Sequence, residues 1–229
     1  MLFICGGLQR TGSTLAYQIM GDLVRANGGD VPVIKQNVHY HILSWANQSN
    51  HVLAKKHVYT GAMASVLNKI KVVITVRDPR DVLCSLADLL NLETWEVLNN
   101  LTLEKIAGNR RIWMRMVPKD RRHIVKYEDF MIASENVVRG MYEFMELPFS
   151  EDDIIKSLKK WSYKNNKERE EAGRDIWGQG YHAGGHMFGG KVGKWLDRLN
   201  RGEIEWVETF ARDWLDDHGY PTYKSLTDK

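Results

Sequence analysis

Gly7-x-x-x-x-Gly12-Ser13-Thr14 has the spacing of a phosphate-binding loop, set between an apolar run, Phe3-Ile4-Cys5, and a helical pattern. Strand, glycine turn and helix start together place backbone N–H groups and a positive helix end around an anion. A nucleoside-triphosphate loop closes on Gly-Lys-[Ser/Thr], whose lysine reaches the terminal phosphates. Here Ser13 stands where that lysine would be, while Arg10 adds a fork of donors and Thr11 and Thr14 add hydroxyls. Lys55-Lys56-His57 ends a second apolar run, and an imidazole, with an ordinary pKa near about 6.5, can take a proton near neutrality. Arg77 ends a third run and Ser85 follows two helical turns later, so both can face a second anion near the first. Tyr127 ends a fourth run in Val125-Lys126-Tyr127-Glu128-Asp129.

These residues need a frame that gathers strand ends. Leu15, Ile19 and Leu23 keep a helical spacing that Asn27-Gly28-Gly29-Asp30 stops. Residues 31–34 read as a short extended segment, 39–46 as a short helix, 51–55 as a strand and 61–70 as a helix. Residues 71–77 form the clearest strand, a β-branched run of the kind buried on both faces of a parallel sheet. Asp78-Pro79 ends it, and Pro79 can open the first turn of a helix over 80–90. Residues 94–116 carry a longer helical pattern with a break near Asn99-Asn100; 123–127 is a strand and 134–147 a helix. Ser150-x-x-Asp153 has the form of a capping box for the helix that follows. Residues 164–194 shift to charges and then glycines, which predicts a flexible loop closing over a site, and 202–217 is a final amphipathic helix. Strands alternating with helices predict a three-layer α/β/α fold with a central parallel sheet, like that of P-loop nucleotide hydrolases, with ligands at the strand ends. Residues 1–229 read as one domain of this kind.

Composition narrows the function class. A net charge of +3 is too small to imply nucleic-acid binding and suits an anionic ligand held locally. The basic stretch Arg110, Arg111, Arg115, Lys119, Arg121 and Arg122 reads as a solvated helix face. Two cysteines, Cys5 and Cys84, suggest no disulfide framework, and no run reaches a membrane span, so the expected setting is cytoplasmic. His39-x-His41 and His182-x-x-x-His186 lack a supporting cysteine or carboxylate set, so no metal is expected. Trp45, Trp95, Trp161 and Trp177 lie in segments that could line an acceptor pocket.

The loop variant without lysine, together with Arg77-x-Pro79-x-x-x-x-x-Ser85 after a buried strand, resembles the sulfotransferases that use 3′-phosphoadenosine 5′-phosphosulfate (PAPS). The resemblance spans residues 3–205. It implies that Arg10, Thr11, Gly12, Ser13 and Thr14 hold the 5′-phosphosulfate and that Arg77 and Ser85 hold the 3′-phosphate. Lys55-Lys56-His57 is similar to the family's Lys-x-His strand end, which makes His57 the catalytic base. Tyr127 matches the tyrosine that helps hold the adenine, with Glu128 and Asp129 ordering the turn. Gly190-Lys191-Val192-Gly193-Lys194-Trp195 is similar to the family's C-terminal loop, although Phe188-Gly189 stands where the best-known members have an Arg-Lys pair. Lys191 or Lys194 is the candidate substitute.

The expected reaction is an in-line transfer of a sulfuryl group to a hydroxyl or amine of a small-molecule or glycan acceptor. Adenosine 3′,5′-bisphosphate (PAP) leaves, and neither metal nor nucleic acid takes part. His57 would deprotonate the acceptor, and Arg10 and Lys55 would stabilise charge on the bridging and sulfuryl oxygens. Two other readings fit parts of the pattern: a P-loop kinase in which Arg10 replaces the lysine and magnesium–ATP is the donor, and a non-catalytic nucleotide-binding protein of the same fold.

Overall fold

The computed structural model describes residues 1–32, 38–172 and 191–227. Four strands, β1 (Leu2–Cys5), β2 (Val52–Lys55), β3 (Ile70–Val76) and β4 (Arg122–Lys126), form one parallel sheet in the order β2-β1-β3-β4. Cys5 lies beside Lys55 on one side and Val73 on the other, so the carboxyl ends of all four strands share one edge. In this strand order the chain leaves β1 and β3 in opposite directions. That is the switch point where open α/β sheets bind ligands.

Side-chain alternation along the strands builds two cores, one on each face. Phe3 and Cys5 of β1 face α1 (Ser13–Ala26), α8 (Ser134–Met145) and α9 (Glu151–Lys160), where Ile19, Met20, Met141 and Ile154 pack with Trp161. Leu2 and Ile4 face the other layer. It contains α2 (Val38–Ala46), α4 (Pro79–Leu90), α5 (Thr94–Asn99), α6 (Thr102–Met116), α12 (Arg201–Phe210) and α13 (Arg212–His218), with Trp113 and Trp214 at its centre. The central strands β1 and β3 are buried throughout, which is why they read as nearly continuous apolar runs, interrupted in β3 by Lys71 and Thr75. The expected three-layer arrangement is therefore the observed one. No helix among the described residues is long and apolar enough to cross a membrane.

Several boundaries moved for identifiable reasons. The stretch 61–70 holds only α3 (Gly61–Ala64) and a 3-10 turn, because Ile70 already pairs in β3. The break predicted near Asn99 is real: α5 ends there, and Leu101 takes a left-handed φ of 59° before α6. Tyr127 is not a strand residue but opens a short helix, α7 (Tyr127–Ile132), at the end of β4. The Ser150 capping box forms as expected. Residues 202–217 divide into α12 and α13 at Ala211.

The charged beginning of the expected loop is instead α10 (Tyr163–Glu171), capped by the Ser162 hydroxyl accepting from the Asn165 N–H at 3.3 Å. Asn166 and Gln18 pair their side-chain amides at 3.3 and 3.4 Å, tying α10 to α1. Residues 173–190 of the expected loop lie outside the described residues, and with them His182, His186 and Trp177, as do residues 33–37.

Two further expectations are corrected. Arg110 does not belong to a solvated face: it is 1% exposed, pairs with Asp213 at 3.0 Å and with Asp217, and donates to His218 Nε2. Two carboxylates compensate the buried guanidinium. Burial first, then the Arg110 charge, bring His218 down to about 4. Trp161 is a core residue whose indole N–H donates to Asp22 at 2.7 Å.

Candidate active site

The chain leaves β1 through Gly6, whose N–H continues the pairing to Val73 at 2.8 Å, and then wraps back onto the start of α1. The wrap is tight. A Cβ on Gly7 would lie 1.9 Å from Ser13 Cβ, and one on Gly12, at φ 82°, would lie 2.7 Å from the Tyr127 ring. Thr11 is fully buried beneath the loop, its hydroxyl 2.7 Å from the Leu8 carbonyl and 2.7 Å from the Thr75 hydroxyl. This leaves Arg10, at φ 65°, displayed at the loop mouth with its Nε donating to Ser85 Oγ at 2.9 Å. The first N–H groups of a helix point out of its N-terminus, and at α1 they point into this cradle.

Lys55 enters the same cradle from the end of β2. It is 8% exposed and donates to Thr14 Oγ1 at 3.3 Å. Burial, with the neighbouring Arg10 charge adding to it and the Cys5 thiol opposing it, brings Lys55 down to about 7. Burial and then the Arg77 charge hold Arg10 below its ordinary value. Basic groups that lower one another's proton affinity in one crevice are what a bound anion would relieve.

His57 lies two residues beyond Lys55, half-buried, with Nδ1 2.5 Å from the Gly7 carbonyl oxygen. A carbonyl can only accept, so Nδ1 carries the proton and Nε2 carries the lone pair of the neutral ring. The loop thereby fixes both the ring and its tautomer. Trp113 adds a hydrogen bond from its indole to the His57 carbonyl at 3.3 Å.

The second cluster forms where β3 ends. Arg77 is 7% exposed, its guanidinium stacks 4.3 Å over the Tyr127 ring, and its Nη2 donates to the Lys191 carbonyl at 2.9 Å. Its Nε is buried and has no hydrogen-bond partner among the described residues. Tyr127 thus touches both Gly12 and Arg77, so the first, third and fourth strand ends meet at one ring. Glu128 orders the turn behind it, accepting from the Asp78 N–H at 2.9 Å and the Tyr220 hydroxyl at 2.8 Å.

Of the residues singled out from the sequence, Arg10, Thr11, Gly12, Ser13, Thr14, Lys55, His57, Arg77, Ser85 and Tyr127 gather around this one crevice. Of the last segment, Gly190 lies outside the described residues and Lys191, Val192 and Gly193 lie beside Arg77 through the Lys191 carbonyl. The Lys191 amine pairs with Asp197 at 2.5 Å, and the Lys194 amine pairs with Asp88. No group of three histidine, cysteine or acidic residues that could hold a metal occurs among the described residues. Thr75 and Asp81 escaped the sequence pattern. Thr75 reads as one more β-branched strand residue, and Asp81 as an ordinary acidic residue in the first turn of a helix.

The crevice has two cationic ends: a glycine cradle beside Arg10 and Lys55, and a buried guanidinium whose Nε has no hydrogen-bond partner among the described residues.

Comparisons with known proteins bear on the fold and the family. A mouse sulfotransferase, SULT7A1, solved with PAP, superposes with a TM-score of 0.72 at 11% identity over 94% of this chain and 83% of that one. Retinol dehydratase bound to retinol and PAP gives 0.66 at 14% identity, covering 94% and 81%. The same enzyme bound to androsterone and the inactive cofactor PAP gives 0.63 at 15%, covering 94% and 80%. At such identities the likeness is one of fold. A search of curated protein sequences finds no match. The family model for the sulfotransferase domain, however, matches residues 2–219, nearly the whole chain. The chain therefore belongs to the sulfotransferase domain family, whose enzymes transfer sulfuryl groups.

Proposed function

We propose that this protein transfers the sulfuryl group of PAPS to a hydroxyl or amine of a small-molecule acceptor. The observation that carries the reading is the convergence of Arg10, Lys55 and Arg77 on a lysine-less glycine loop, with His57 held against the loop's own carbonyl. The donor would supply an activated sulfuryl group on a 5′-phosphate that can leave. In this reading the backbone N–H groups of residues 11–14, Thr14 Oγ1 and Lys55 bind the 5′-phosphate, and Arg10 neutralises the charge that develops on the oxygen it keeps. His57 Nε2 takes the acceptor proton. Arg77 and Ser85 hold the 3′-phosphate, Tyr127 borders the adenine, and the segment from Lys191 to Gly193 borders the same end of the nucleotide. No γ-phosphate has to be gripped, which accounts for the serine at position 13.

The similar structures were solved with retinol and androsterone, which favours a hydroxyl-bearing small molecule as acceptor. Both cysteines are buried and unpaired, in keeping with a reducing compartment such as the cytoplasm.

Metal-free calorimetry tests the reading. PAP is expected to bind at least about tenfold more tightly than adenosine 5′-monophosphate, the value of roughly one charge-assisted contact to the 3′-phosphate. Equal affinities would contradict it. Lys55 also gives this binding a pH dependence. The phosphate binds the protonated amine, and Lys55 titrates at about 7 when nothing is bound, so PAP binding should weaken from pH 7 to about pH 8.5 with proton uptake. Lys55→Met should flatten that profile.

A further inference from the structure

Two arginines flank Asp78-Pro79, and the structure uses them differently. Arg80 spends its whole guanidinium on the fold: Nε and Nη2 on Asp78, Nη1 on Glu208, and Nη2 also on the Pro221 carbonyl. Arg77 has one described hydrogen bond, to the Lys191 carbonyl, and a buried Nε without one. Something must hold that guanidinium and the segment it touches without consuming its donors. Asp81, in the first turn of α4 and four residues beyond Arg77, is placed to do both.

Asp81 is 1% exposed. Its Oδ2 accepts from the Gly193 N–H at 2.8 Å, and its Oδ1 accepts from the Trp195 N–H at 3.1 Å. The same carboxylate lies 3.6 Å from Arg77 Nη2, beyond hydrogen-bond length yet close enough to fix the charge. One buried side chain thus fastens Gly193 and Trp195 to the helix that carries Ser85, and it holds Arg77 against Tyr127. Burial pushes the Asp81 carboxyl above its ordinary range, while Arg77 and the two N–H groups oppose that push.

We propose that Asp81 is a positioning residue for recognition of the 3′-phosphate. It sets the 191–195 backbone and the Arg77 guanidinium as one unit, so that Arg77 keeps donors for the phosphate. The proposal rests on the reading of PAPS as donor, and it makes discrimination a property of the Asp81–Arg77–Gly193 assembly. The Lys191 and Lys194 amines are each paired with a carboxylate, Asp197 and Asp88.

The test is the ratio of PAP to adenosine 5′-monophosphate affinity in Asp81→Ala and Asp81→Asn, measured by metal-free calorimetry beside thermal melts of each variant. A residue that merely braces the fold would weaken both nucleotides alike. The expected result for Asp81→Ala is a fall of the ratio toward one, with adenosine 5′-monophosphate affinity within about twofold of wild type. Asp81→Asn retains one acceptor oxygen and should fall between them. If Asp81→Ala does not fold, Asp81→Asn decides alone: a ratio lowered about threefold or more supports the proposal, and an unchanged ratio overturns it. Equal weakening of both nucleotides in either variant also overturns it. A wild-type ratio near one would instead contradict the donor reading itself, so the two failures are distinguishable.

Discussion

Replacing His57 with alanine is expected to lower transfer of labelled sulfate by about 10²–10⁴-fold, the usual contribution of a positioned general base, while PAP affinity stays within about twofold. The direction follows from the tautomer. Nδ1 donates to the Gly7 carbonyl at 2.5 Å, so Nε2 is the nitrogen able to accept an acceptor's proton. That same hydrogen bond raises a competing explanation, because alanine also removes a brace from the loop. His57→Asn separates the two. It keeps an N–H donor near the Gly7 carbonyl but supplies no basic nitrogen, so it should be as inactive as alanine while melting close to wild type. Activity recovered in His57→Asn would make His57 a loop brace, and full activity in His57→Ala would remove it from the mechanism.

The largest expected effect on stability comes from Arg80. Its side chain is fully buried, forks onto Asp78, reaches Glu208 at 2.6 Å and stacks 3.8 Å over the Trp195 ring. It therefore joins the end of β3 to α12 and to α11 (Trp195–Arg198) in a single contact set. Alanine would leave two carboxylates in a largely buried setting without their cation. Breaking a buried pair in this way costs about 3–5 kcal/mol, which lowers Tm by roughly 10 °C in a domain of this size. Glu208 retains the Tyr223 N–H and Asp78 retains the Arg80 backbone N–H, so the loss falls short of complete exposure of both charges. Arg80→Lys should recover part of the loss, keeping the charge but not the fork. A melting temperature for Arg80→Ala within about 2 °C of wild type would show that the carboxylates find other partners.

The residues that were legible in advance share a physical reason. Strand β3 and the loop after β1 are dictated by local chemistry: β-branched runs buried on both faces, and glycines where the chain doubles back so closely that a Cβ on Gly7 would lie 1.9 Å from Ser13 Cβ. Arg10, His57, Arg77 and Tyr127 could be placed because each lies at or just beyond a strand end, and a parallel sheet brings its carboxyl ends to one edge. What could not be read depends on contacts between distant segments. Arg110 sits in a basic stretch typical of a solvated face, and only Asp213 and Asp217, about a hundred positions on, make its burial possible. Asp81 meets Gly193 across a similar separation. Helix α10 carries almost no apolar periodicity and is fixed by the Ser162 cap and the Asn166–Gln18 pair, so its sequence resembles a loop.

The central claim is that the glycine loop and Arg77 accept a nucleotide with phosphates at the 3′ and 5′ positions, not a triphosphate with magnesium. The most direct test is thermal stabilisation of the full chain by PAP in the presence of a chelator, set against ADP and ATP with magnesium. Ligand present at about a hundredfold its Kd adds about 2.7 kcal/mol, a rise of several degrees in Tm. PAP is predicted to give that rise without metal, and the magnesium nucleotides little or none. Stabilisation by magnesium–ATP alone, with PAP inert, would contradict the account and return the loop to the kinase reading, with Arg10 in the place of the missing lysine.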